Sequence, residues 1–138
     1  MRYRTIDHTG DVGIKVYGKT LPELFSNAAY AFFDIMIKSL KRIEVKLEKE
    51  ISLSANDSEQ LLVQWLSEFL YLYETKGLIF KEFELRELRE KGLEAVARGE
   101  IFDPKRHRIQ TAIKAVTYHG LKIEKKGSLF QTLIIFDL

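Results

Sequence analysis

The side chains best suited to chemistry in this sequence gather near its two ends. Asp7 and Asp11 flank a glycine-containing turn, His8-Thr9-Gly10, and Asp137 follows the apolar run Leu133-Ile134-Ile135-Phe136, one residue before Leu138. Two readings stand for each end. Aspartates beside a turn act as turn formers, because their carboxylates accept hydrogen bonds from nearby backbone N–H groups. Asp137 and the α-carboxylate of Leu138 could likewise be a frayed, solvated end. Held by a buried strand, however, two carboxylates on adjacent residues repel each other, and a divalent cation relieves that repulsion.

Other chemistries are poorly served. The sequence has no cysteine, which excludes disulfides, thiolate zinc sites and cysteine nucleophiles together. A metal would therefore be held by carboxylates, carbonyls or imidazole. The histidines are His8, His107 and His119, and an isolated histidine is more often a hydrogen-bonded structural residue than a ligand. His119 falls at a strand-to-turn junction before Gly120, where a carboxylate or carbonyl could pair with it. No serine lies in a nucleophile-elbow setting. Gly10-Asp11-Val12-Gly13 is too short for a phosphate loop and precedes a strand. Lys38, Lys41 and Arg42 follow the first helical pattern, where cations suit the helix dipole. Lys105, Arg106, His107 and Arg108 form a denser basic patch, either solvated surface or a contact for RNA or an acidic partner. With 22 basic against 20 acidic residues and a net charge of +2, the chain by itself is not expected to bind nucleic acid strongly.

The elements that must position these groups are legible from periodicity. Val12, Ile14 and Val16 alternate with Gly13, Lys15 and Tyr17, which predicts a strand ending at Gly18. Thr20-Leu21-Pro22-Glu23 is a capping-box pattern opening a helix whose inward face is Leu21, Leu24, Phe25, Ala28, Ala29, Phe32, Ile35 and Met36. A period of two predicts a long strand from Ile43 to Leu53. Asp57 or Ser58 caps a second helix, with Leu61, Leu62, Trp65, Leu66, Phe69, Leu70 and Tyr73 inward and Gly77 as its stop. Strand patterns follow around Phe83, from Leu93 to Ile101, from Ile113 to Tyr118, from Leu121 to Lys125 and from Leu129 to Phe136, with turns at Gly92, Gly120 and Gly127. Asp103 to Gln110 reads as a loop with a helical turn at most. The 138 residues thus predict one α+β domain, a mostly antiparallel β-sheet sandwich with two main helices. The longest apolar stretch, Ala28 to Ile37, is interrupted by Asp34 and too short to span a bilayer, and the opening residues lack an apolar signal core. The expectation is a cytoplasmic protein with no membrane partner.

These motifs accumulate into a family resemblance. Asp7-His8-Thr9-Gly10-Asp11-Val12-Gly13-Ile14 resembles the His-Thr-Ala-Asp-Val-Gly signature of the archease family, with Gly10 where alanine is usual. The likeness continues through Gly18 to Phe25, the helix from Asp57 to Leu70, Lys114-Ala115-Val116-Thr117-Tyr118-His119 and the ending Ile134-Ile135-Phe136-Asp137-Leu138.

That resemblance implies an accessory protein rather than an enzyme. It implies a protein cofactor of the GTP-dependent RNA ligase of the RtcB type, which joins RNA ends in tRNA splicing and repair. The cofactor promotes guanylylation and multiple turnover of the ligase, so tRNA and GTP are indirect partners. It further implies a metal site made by Asp11, Asp137 and the carboxylate of Leu138, with His8 and His119 as residues behind the ligands. Ca²⁺ is the expected ion, since it accepts flexible all-oxygen coordination, with Mg²⁺ or Mn²⁺ as alternatives. Of the residues between Phe80 and Gln110, only His107 carries over. A second implied reading is a chaperone, or a modulator of tRNA-modifying enzymes, that acts by contact and uses metal only structurally. An independent hydrolase or nuclease is disfavoured, because the sequence offers no convincing general base or second metal cluster.

Overall fold

The computed structural model describes residues 1–138 except Thr9, Tyr118 and His119, and describes Asp7 and His8 by their backbone alone. In chain order the elements are β1 (Tyr3–His8), β2 (Asp11–Gly18), α1 (Leu21–Met36), β3 (Leu47–Ser54), α2 (Ser58–Lys76), β4 (Leu78–Arg89), β5 (Gly92–Ile101), β6 (Ala115–Thr117), β7 (Glu124–Lys126) and β8 (Leu129–Asp137). One sheet runs β1-β2-β8-β6, with β7 also beside β8, and the other runs β3-β5-β4. Every strand pairing is antiparallel. The architecture is α+β, as the periodicities predict.

The helices lie between the sheets. Helix α1 packs on β2 of the first sheet and β4 of the second, while α2 touches β4 and β6. This explains why α1 is buried well beyond its expected stripe: Ala31 and Phe33 are covered as fully as Ala28 and Phe32. The Phe33 ring meets Phe32 at 5.0 Å and Phe69 at 5.6 Å, both edge-on, and stacks on Phe83 at 5.9 Å. Each such pair adds roughly 0.5–1.5 kcal/mol beyond the area it buries.

The helix ends follow their sequence signals. The Thr20 hydroxyl accepts from the Glu23 N–H at 3.1 Å, and the Glu23 carboxylate accepts from the Lys19 N–H at 3.1 Å, one residue earlier than a standard capping box. Asp57 caps α2 by accepting from the Gln60 N–H at 2.8 Å, and Gly77 closes it.

The strand expected from Ile43 begins only at Leu47. The preceding residues are claimed by other bonds: a 3₁₀ turn at Leu40–Arg42 closes with Ile43 N–H donating to the Leu40 carbonyl at 3.1 Å. The Glu44 N–H donates to the Glu100 carboxylate at 2.6 Å, and Lys46 N–H donates to the Gly99 carbonyl. Gly99 itself is required by close approach. A Cβ there would collide with the Ile79 carbonyl oxygen and with Phe80 Cα at 2.7 Å.

Candidate functional site

The register of the first sheet brings the two chain ends together. Asp11 opens β2 and Asp137 closes β8, and they are direct cross-strand partners; His8 pairs with Asp11 on one side and Ala115 with Asp137 on the other. The row His8, Asp11, Asp137, Ala115 crosses one end of the sheet at Cα level. The alternation of each strand fixes which way the acids point. Ile14, Val16, Ile134 and Phe136 are fully buried against the helical layer, with Phe136 edge-on to Phe32 at 5.7 Å. Asp11 and Asp137, out of phase with those residues, lie on the outer face. Cβ atoms of directly opposed residues are about 4.5–5.5 Å apart, so the two carboxylates are neighbours.

Asp11 is half-buried, with Oδ1 shielded from solvent, whereas Asp137 and Leu138 are exposed. The Lys114 N–H donates to the Asp137 carbonyl at 2.8 Å, which pins the end of β8 to the segment entering β6. Of the residues expected behind the ligands, His119 lies outside the described residues, as does the His8 side chain. Among the described residues no three His, Asp or Glu side chains converge on one point. A cation between Asp11 and Asp137 would therefore draw further oxygens from main chain, the Leu138 carboxylate or water. Two adjacent carboxylates with such neighbours are a hard-donor set that suits Ca²⁺ or Mg²⁺ and not a soft metal.

The Archease protein family (MTH1598/TM1083) matches residues 3–138. The chain belongs to the archease family. Protein archease of Methanosarcina barkeri is 41% identical over 141 residues, covering 99% of this chain and 96% of that protein. Protein archease of Methanopyrus kandleri is 38% identical, with 100% of both covered. The solution structure of protein 1598 of Methanobacterium thermoautotrophicum superposes with a TM-score of 0.83 at 31% identity, over 99% of each chain.

Gly10 has φ +76 with nothing within 4 Å of where a Cβ would stand. The turn that delivers Asp11 thus uses a left-handed residue, for which glycine has no steric penalty.

Two members of the basic patch at 105–108, Arg106 and His107, are structural, while Lys105 and Arg108 are exposed. His107 is buried, its Nδ1 accepting from the Asp103 N–H at 2.8 Å and its Nε2 lying 3.1 Å from Glu100 Oε2. An Nδ1 that accepts fixes the ring as neutral with the proton on Nε2, donating to Glu100. Glu100, 3% exposed, also pairs with Arg106 and lies 3.7 Å from Lys46 Nζ. Burial pushes the Glu100 carboxyl up, but bonds from the Glu44 N–H, Arg106 and His107 outweigh it and hold the carboxyl below the usual range. This network ties the end of β5 to the 43–46 segment and the 103–110 loop. Sequence reasoning missed Glu100 because it reads as one more polar position between Gly99 and Ile101.

Among the described residues no helix is long and apolar enough to cross a membrane.

Proposed function

We propose that this chain is a cytoplasmic accessory protein of a GTP-dependent RNA ligase of the RtcB type, not an enzyme itself. Its working part is the sheet end carrying Asp11 and Asp137. The observation that carries this reading is the Asp11–Asp137 register, which turns two residues 126 positions apart into one acidic tip on an exposed face. Membership of the archease family supports the reading, since the family resemblance implies such a ligase as partner.

Asp11, Asp137 and the α-carboxylate of Leu138 would hold a divalent cation, Ca²⁺ before Mg²⁺ or Mn²⁺. Bound there, the ion supplies charge neutralisation and positioning, on which phosphoryl transfer at the α-phosphate of GTP depends. The chain's own contribution is preorganisation. Phe136 and Ile134 lock β8, the left-handed turn at Gly10 presents Asp11, and the Lys114 bond fixes the Asp137 backbone. The tip would abut or enter the ligase active site and promote guanylylation and multiple turnover.

A time course of ligase guanylylation tests this with Asp11→Ala and with a chain extended beyond Leu138. Both should lose most of the acceleration, and undiminished acceleration in both sinks the proposal.

A second reading has one observation in its favour. A Thermotoga maritima protein of the same fold, with a TM-score of 0.64 at 24% identity, is described as an archease and possible chaperone. Under that reading the chain remodels a partner, a ligase or tRNA-modifying enzyme, by contact, and metal only pins the sheet end. Activation that survives simultaneous loss of Asp11 and Asp137 in a well-folded variant would favour it.

A further inference from the structure

Beyond the acidic tip, the same sheet borders a cleft of about 280 Å³ with a different character. Lys15 of β2, Lys122 and Lys126 line it, with Leu133 providing apolar wall and Glu124 the one carboxylate among the described residues. Lys46, Arg86, Arg89, Arg98 and Arg106 all sit in ion pairs with glutamates. Among the described residues, Lys15, Lys122, Lys126 and Glu124 make none. Thr132 also borders the cleft, but it is in phase with Ile134 and Phe136 and paired with buried Val16, so its side chain faces the helical layer rather than the lysines.

We propose that this cleft binds the phosphate groups of a nucleotide or of an RNA end. Three ammonium groups against one carboxylate give a net positive lining, and lysine serves phosphate as a mobile point charge. An acidic protein segment fits less well, because the cleft has the volume of a small ligand and offers no guanidinium fork for carboxylates. Lys15 and Asp11 share one face of β2 four residues apart, a separation of about 13 Å at about 3.3 Å per residue. The proposal stands on the cleft and its unneutralised lysines and does not rest on a metal at the acidic tip.

The test is an amide-shift titration of the whole chain with inorganic tripolyphosphate, at low salt and with chelator present. Saturable shifts should centre on Lys15, Lys122 and Leu133. Charge reversal by Lys15→Glu or Lys122→Glu should weaken binding about tenfold each. Lys122 is exposed, so its variant keeps the fold. Asp137→Asn should leave the affinity within about twofold, since its site is remote from the cleft. Parallel titrations with GTP and with a 5′-phosphorylated trinucleotide identify the source: the tighter binder is the ligand class, and either result supports the cleft. No saturable shift at millimolar probe, shifts centred on Lys105 to Arg108, unchanged affinity after both reversals, or equal binding of an oligoglutamate peptide would each overturn it.

Discussion

Replacing Asp137 by asparagine removes one of two carboxylates that face each other across β2 and β8. At about 5 Å, the separation of directly opposed side chains, two unit charges repel by ~0.8 kcal/mol in water and by ~3 kcal/mol at an effective dielectric near 20. Asp137 is exposed and Asp11 half-buried, so the lower end governs and the repulsion is about 1 kcal/mol. In chelator, Asp137→Asn should therefore melt above the parent chain, by about 3–5 °C for a domain of this size. Saturating Ca²⁺ reverses the order. A cation at a hundred times its Kd stabilises the parent by about 2.7 kcal/mol, whereas the variant has lost a ligand and gains far less. Thermal unfolding followed by circular dichroism, with chelator and then with Ca²⁺, reads both signs in one experiment. A variant that melts below the parent in chelator refutes the electrostatic reasoning. A parent whose midpoint ignores Ca²⁺ refutes the site.

Three further outcomes follow from the packing. Gly99→Ala should abolish soluble expression or cost several kcal/mol, roughly 3 or more, because the new Cβ meets β4 backbone that cannot retreat; soluble yield and urea midpoint check it. Thr20→Ala should cost about 1 kcal/mol through the lost cap on α1, read from urea unfolding. The Glu100 carboxyl is held below its usual range, so its stabilising contribution is complete above the ordinary glutamate range near ~4.3 and fades as pH falls through the lower folded-state value. Urea midpoints measured from neutral pH downward should show Glu100→Gln less stable at neutral pH, with the gap to the parent narrowing below about pH 4. A constant gap across that range contradicts the assignment.

How much of this was legible beforehand depends on the range of the forces involved. Both helices announced themselves, because a capping side chain and an apolar stripe are local signals: Thr20 and Asp57 cap where the sequence places them. Strand β8 was likewise evident from Leu129 to Phe136. The start of β3 was not, since Glu44 is drawn away from a strand by a carboxylate 56 residues later. Burial of Phe33 was also invisible, because a second sheet covering α1 is a tertiary fact. The acidic tip was half legible. Asp11 and Asp137 stand out by motif, but only the β2–β8 register makes them neighbours. The lysine cleft left no trace in periodicity, as Lys15 and Lys122 belong to segments that meet only through β8.

In the proposed function the Asp11–Asp137 tip serves a partner ligase. The most direct measurement is multiple-turnover RNA ligation by an RtcB-type ligase in the presence of GTP, alone, with this chain, and with a folded Asp11→Ala/Asp137→Ala variant. Under this proposal the ligase should stall early when alone, cycle repeatedly with the chain, and stall again with the variant. Equal cycling with the chain and the double variant, or no gain from the chain at all, would contradict it.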